Sequence, residues 1–180
     1  KFDNGTIEIH YQLFPIQDLA FRTILMFESR LEKRNITLEG LDSEPVQVWG
    51  DPDLIGQVIY NLFENATKFV NTGGTITFTF KDEPNSTSIA IRNTGAGISK
   101  EELPKIFERF YKSDDSRSHD KTGLGIGLDI TKHIVRLHKA QISVSSEEGE
   151  YTEFLIRLPK KDAPAESPTE NPEKQPKDAR

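Results

Sequence analysis

Cysteine is absent from this chain, which excludes disulfides, thiolate zinc centres and thiol catalysis and is compatible with a reducing compartment. There is no surplus of positive charge either. With 23 Lys and Arg against 29 Asp and Glu, the formal net charge is −6, which argues against a general nucleic-acid or membrane-binding surface and makes any cationic site local. No apolar run approaches the roughly 20 residues that cross a bilayer. The chain opens at Lys1 with neither methionine nor a signal-peptide pattern, and is read as a piece of something longer.

The 180 residues suit one domain of ordinary size with a tail. Residues 160–180 carry proline and charge but no large apolar side chain, which predicts a disordered tail. Before it, Ile16, Leu19, Ala20, Ile24, Phe27 and Leu31 recur at helical spacing and predict a first amphipathic helix of roughly four turns. Residues 35–41 and 46–49 read as short strands, and so does the Glu-Ile-His-Tyr run around His10. Asp51-Pro52 supplies an N-cap and a proline at the first helical position, and Asn71-Thr-Gly73-Gly74 ends the helix that follows. Residues 75–81 and 87–92 form a predicted hairpin around Glu83-Pro84-Asn85-Ser86. A last helix, with Leu128, Ile130, Ile134, Val135 and Leu137 on its apolar face, precedes strands near 141–146 and 153–158. Helices and antiparallel strands thus interleave as a two-layer α/β sandwich, its mixed, mostly antiparallel sheet covered by helices on one face.

The stretch Asn61-Leu-Phe-Glu-Asn65-Ala-Thr-Lys68 carries the first chemical signal. At roughly 100° per residue, Asn61, Asn65 and Lys68 share one side of the helix, while Ile55, Ile59, Leu62, Phe63 and Ala66 share the other. Carboxamide oxygens are hard ligands suited to magnesium, and lysine adds a point charge for phosphates. Taken alone, the pattern is equally that of a solvated amphipathic helix. A second signal is Gly123-Leu-Gly125-Ile-Gly127-Leu128 at a loop-to-helix junction, where bare N–H groups can cradle an anion. Neither the dinucleotide fingerprint nor a Walker lysine accompanies these glycines, and a flexible hinge explains them as well. The loop before them, residues 112–122, holds Lys112, Arg117 and Lys121 and suits a lid over phosphates, with Arg117 placed to stabilise a transferring phosphoryl group; a solvated loop balanced by Asp114, Asp115 and Asp120 is the alternative. Asn93-Thr-Gly95-Ala-Gly97-Ile98 follows a strand, so the Asn93 oxygen can accept from a purine amino group while Gly97 gives backbone access, although an asparagine turn needs no ligand.

In this order, N-x-x-x-N-A-x-K, T-G-x-G-I, F-x-R-F-Y, G-x-G-x-G-L and a terminal T-x-F, the motifs resemble the ATP-binding catalytic domain of two-component sensor histidine kinases. The resemblance runs from about Ile9 to Pro159, so residues 1–8 read as the end of a preceding dimerisation helix or linker and 9–159 as the catalytic domain. It implies the Bergerat ATP-binding fold, a left-handed α/β sandwich shared with DNA gyrase, mismatch-repair ATPases and heat-shock chaperone ATPases. It further implies ATP and Mg2+ as cofactors: Asn65 on the metal, Asn61, Lys68 and Phe69 beside the nucleotide, and Asn93, Gly95, Gly97, Ile98 and Thr152 around adenine. Tyr111 and Lys112 would line the pocket, and Gly123, Leu124, Gly125, Ile126, Gly127 and Leu128 would wrap the phosphates. The implied partners are a dimerisation domain bearing the phosphoacceptor histidine and a response regulator receiver domain. The implied setting is a cytoplasmic domain, monomeric when isolated, in a homodimeric, membrane-anchored parent.

Three departures bear on that reading. Asn93 stands where most relatives carry aspartate, which removes a charged acceptor and predicts weaker ATP binding. His138-Lys-Ala replaces the usual His-Gly-Gly, and Glu150-Tyr151 precede Thr152 where glycine is usual, changes expected to alter turns. Asn61 occupies the place where water-using relatives keep a glutamate base, and Glu64 lies about 100° away from Asn65 around the helix. Kinase is therefore favoured over ATPase. None of the four histidines has the acceptor pattern: His10 sits in the strand-like run, His119 in the lid, and His133 and His138 on the last helix, in surface or packing roles. The rival readings are a degenerate nucleotide-sensing or regulatory module without phosphoryl transfer, and a self-contained ATPase dependent on Glu64.

Overall fold

The computed structural model describes residues 6–107 and 124–164, the first four of the second stretch by backbone alone. The elements in chain order are β1 (Gln12–Pro15), α1 (Ile16–Lys33), β2 (Thr37–Glu39), β3 (Gln47–Gly50), α2 (Pro52–Phe69), β4 (Thr75–Asp82), β5 (Ser86–Thr94), a 3-10 turn (Leu103–Lys105), α3 (Leu124–Leu137), β6 (Gln141–Glu147) and β7 (Tyr151–Pro159). Five strands form the main sheet in the order β2-β4-β5-β7-β6, with β1 and β3 as a separate two-stranded ribbon. Only the β2–β4 pair in the main sheet is parallel.

Alternation along the strands decides which face is covered. On β7, Thr152, Phe154, Ile156 and Leu158 are buried while the residues between them are half-exposed. Ile76 and Phe78 of β4 and Ile89 and Ile91 of β5 join them beneath Ile55, Ile59, Leu62 and Phe63 of α2. Phe63 is fully buried, edge-on to Phe27 of α1 and stacked on Phe78. Each such side chain contributes roughly 1.5–3 kcal/mol relative to exposure. Helices on one face of a mixed, mostly antiparallel sheet is the architecture expected from the element order.

Two differences are local. The helix α1 has 18 residues, nearer five turns than four. The Glu-Ile-His-Tyr run lies outside β1, because the His10 N–H donates to the Asp51 carboxylate at 3.0 Å instead of joining a ladder. Both α1 and α3 end in Schellman motifs. After α1, Asn35 N–H donates to the Glu32 carbonyl and Ile36 N–H to that of Leu31; after α3, Lys139 N–H donates to the Arg136 carbonyl and Ala140 N–H to that of Val135. The residues in the left-handed position are Asn35 at φ 51 and Lys139 at φ 53. Lys160 N–H donates to the Asn85 carbonyl and the Lys161 ammonium lies 4.8 Å from the Trp49 ring, joining the start of the Pro-rich stretch to the sheet's end.

Candidate functional site

The site begins with how α2 is started. Asp51 accepts from the N–H groups of Asp53 at 3.0 Å and Leu54 at 3.2 Å, the capping expected from Asp51-Pro52. Burial acts to raise its carboxyl, but backbone N–H bonds from His10, Leu54 and Asp53 outweigh that and hold it below the ordinary carboxylate value. His138 is buried: its Nε2 accepts from Asp51 N–H at 3.1 Å, which places the ring hydrogen on Nδ1, 2.9 Å from the Ile134 carbonyl. It ties the end of α3 to the start of α2.

Three turns on, α2 presents the polar face. Asn61 donates to Thr131 Oγ1 on α3 at 3.4 Å, which joins the first asparagine to the helix that carries the glycine box. Asn65 is 8% exposed, and its carboxamide has no hydrogen-bond partner among the described residues. Its amide atoms are not among the fully enclosed unpaired ones, so they are open to water and to a ligand that displaces it. Lys68 lies 3.8 Å from Glu64, a long, partly exposed pair of the kind that is worth little and yields to a stronger anion. Phe69 is 38% exposed at the helix end, where its ring is open to stacking.

The end of β5 faces this helix end. Val70 bridges to Gly95, and Asn71 N–H donates to the Thr94 carbonyl. Asn93 is 5% exposed; its amide nitrogen donates to the Thr94 carbonyl at 3.1 Å, and among the described residues its oxygen has no donor. Thr152 is its register partner on β7 and lies 3.1 Å from Ser146 Oγ, which in turn accepts from Ile98 N–H at 2.7 Å. The glycines have packing reasons as well. A Cβ on Gly95 would lie 2.3 Å from the Phe69 carbonyl oxygen, and one on Gly97, at φ 71, would lie 2.5 Å from that of Glu147. Close approach of the β6–β7 turn thus requires glycine at position 97 with or without a ligand.

Asn61, Asn65, Lys68 and Phe69 therefore lie on the latter half of α2, and Asn93, Gly95, Gly97, Ile98 and Thr152 at the end of β5, in the turn after it and at the start of β7, the two groups joined by the Val70–Gly95 bridge. Leu124, Gly125, Ile126 and Gly127 lie in the first turn of α3 by backbone, and Leu128 is buried in the core. Tyr111, Lys112, Arg117 and Gly123, with the whole lid, fall outside the described residues. Sequence reasoning missed Thr131 and Ser146. Neither stands in a glycine- or asparagine-marked motif, and only the tertiary pairing of α2 with α3 and of the 95–98 turn with β6 exposes them.

Residues 50–162 match the family model described as histidine kinase-, DNA gyrase B- and HSP90-like ATPase. The chain is 40% identical over 161 residues to the sensor protein SrrB of Staphylococcus aureus, a match that covers 89% of this chain and 27% of SrrB; the chain thus spans about a quarter of that relative's length. The solved catalytic domain of histidine kinase ThkA superposes with a TM-score of 0.70 at 28% identity, covering 84% of this chain and 97% of that one. ThkA in complex with the response regulator protein TrrA gives 0.69 at 27% identity, covering 84% and 42%. The chain belongs to the family of histidine kinase-, DNA gyrase B- and HSP90-like ATPases, as a catalytic domain of the sensor histidine kinase kind.

Proposed function

We propose that Mg-ATP lies between the end of α2 and the turn after β5, with Asn65 on the metal, Asn61 and Lys68 beside the phosphates, Phe69 against the nucleotide, and Asn93, Gly95, Gly97, Ile98 and Thr152 around adenine. Tyr111 and Lys112 complete the pocket, Gly123 with the backbone of Leu124, Gly125, Ile126, Gly127 and Leu128 wraps the phosphates, and Arg117 meets the transferring phosphoryl group. Residues 9–159 act as the nucleotide-binding catalytic domain, 1–8 as the end of a dimerisation helix or linker and 160–180 as a tail. One observation carries this reading: Asn65, late on α2, and Asn93, at the end of β5, are nearly buried carboxamides on elements joined by the Val70–Gly95 bridge, and neither oxygen receives a hydrogen bond from a described residue. The donor set fits magnesium, a hard cation that takes few protein oxygens and keeps waters and phosphates for the rest of its shell. When bound, magnesium neutralises phosphate charge during transfer.

The acceptor is a histidine on a dimerisation domain outside residues 1–180, and the phosphoryl group then passes to a response regulator receiver domain. ThkA, solved with its regulator TrrA, is a precedent for that partner. The parent is a homodimer anchored in the membrane, and among the described residues no helix is long and apolar enough to supply the anchor. Transfer to histidine instead of water is supported at Asn61, whose carboxamide cannot take a proton, and at Glu64, which lies about 100° from Asn65 around the helix. The test is incubation with labelled ATP, alone and with the dimerisation hairpin added. Nucleotide binding without stable self-labelling, followed by labelling of the hairpin, is expected. Binding without transfer would leave only a nucleotide-sensing module, and phosphate release lost on Glu64→Gln would mark an ATPase.

A further inference from the structure

The last turn of a helix leaves four carbonyls without intrahelical donors. In α2, two of them are taken by a side chain from another helix. Arg34, at the end of α1, donates through Nη1 to the Thr67 carbonyl and through Nη2 to the Val70 carbonyl. One turn earlier Arg30 donates to Thr67 Oγ1 at 3.2 Å, and that hydroxyl donates to the Glu64 carbonyl at 2.8 Å. The chain leaving α2 returns the contact, because Gly73 N–H donates to the Arg34 carbonyl at 2.8 Å. On its other side the same segment is fastened to the turn after β5: Val70 bridges to Gly95, Asn71 N–H donates to the Thr94 carbonyl, and Thr94 Oγ1 donates to Asn71 Oδ1 at 2.6 Å.

We propose that Arg34 is a positioning residue of the nucleotide site. Its fork fixes the end of α2, with Lys68 and Phe69, against the turn that carries Asn93, Gly95 and Gly97, and so sets the spacing between the phosphate side and the adenine side of the cleft. The inference rests on the nucleotide reading above. Arg34 touches no part of that cleft itself; it acts through the carbonyls of Thr67 and Val70. Arginine suits the task because a planar guanidinium spans two acceptors at fixed geometry, whereas lysine brings a single point charge. Either cation offsets the negative end of the helix dipole. Charge and geometry can therefore be separated by substitution.

The experiment compares Arg34→Lys and Arg34→Ala with the unchanged chain. Mg-ATP affinity is measured by calorimetry at a temperature where circular dichroism shows every variant folded, and exchange of the Asn71 and Gly73 amide hydrogens, bonded to the Thr94 and Arg34 carbonyls, is followed without nucleotide. With the clamp released, both amides exchange about tenfold faster and Mg-ATP affinity falls about fivefold to tenfold, as misplaced binding groups allow. Arg34→Lys recovers the melting temperature but neither of those losses, a split that a merely stabilising charge would not produce. Wild-type exchange and affinity in both variants would overturn the proposal. If the unchanged chain bound no Mg-ATP, the nucleotide reading would fall and the role of Arg34 with it; unchanged exchange alongside intact wild-type binding would sink the clamp alone.

Discussion

Asn93 combines two tasks that an aspartate cannot. Its amide nitrogen holds the Thr94 carbonyl at 3.1 Å at the bend where β5 ends, and its oxygen is the acceptor proposed for a purine amino group. An aspartate would strengthen the second interaction, since charge-assisted bonds are roughly twice as strong as neutral ones, and would lose the first. Asn93→Asp is therefore expected to raise Mg-ATP affinity by about threefold to tenfold while lowering stability by about 1 kcal/mol. Calorimetry and thermal melting check the pair, and a fall in affinity would show that adenine does not use this oxygen. At this scale residue type and spacing mark Asn65 and the Asn93 turn in the sequence, and the structure finds both side chains nearly buried. The sequence was silent on Thr131, a fully buried threonine whose hydroxyl meets Asn61 across two helices.

The ends of the helices hold the most informative local chemistry. Lys139 sits at φ 53 in the Schellman motif that closes α3, where an L side chain costs about 1 kcal/mol and glycine is the usual solution. Lys139→Gly should raise stability by about 0.5–1 kcal/mol without changing nucleotide affinity, as judged by denaturant melts and titration. Asp51 does the reverse at the start of α2. Because its carboxyl is held below the ordinary value in the folded chain, its stabilisation is fully present above the unfolded carboxylate range and is lost as pH falls through the folded pKa. Asp51→Ala should cost about 1 kcal/mol at neutral pH and flatten the acid limb of the stability profile; an unchanged acid limb would remove Asp51 from the account. Asp51-Pro52 was legible because capping is chemistry between neighbours. The strand reading around His10 failed for the opposite reason, since the donor that left the ladder found its acceptor at Asp51, 41 residues away.

On the scale of the whole molecule, the order of helices and strands sufficed for an α/β sandwich, but the sheet order β2-β4-β5-β7-β6 comes from pairings distant in sequence. The parallel alignment of β2 with β4 and the separate β1–β3 ribbon have no local signature either. What that topology achieves is a meeting of two borders. The end of α2 is fastened to the turn after β5, which puts the helix of Asn65 and the strand of Asn93, 28 positions apart by their numbers, on either side of the proposed nucleotide site. The most direct measurement is a crystal structure of this chain with magnesium and a non-hydrolysable ATP analogue. The account predicts the adenine amino group on Asn93 Oδ1 and the metal on Asn65; adenine bound elsewhere, or a metal held without Asn65, would contradict it.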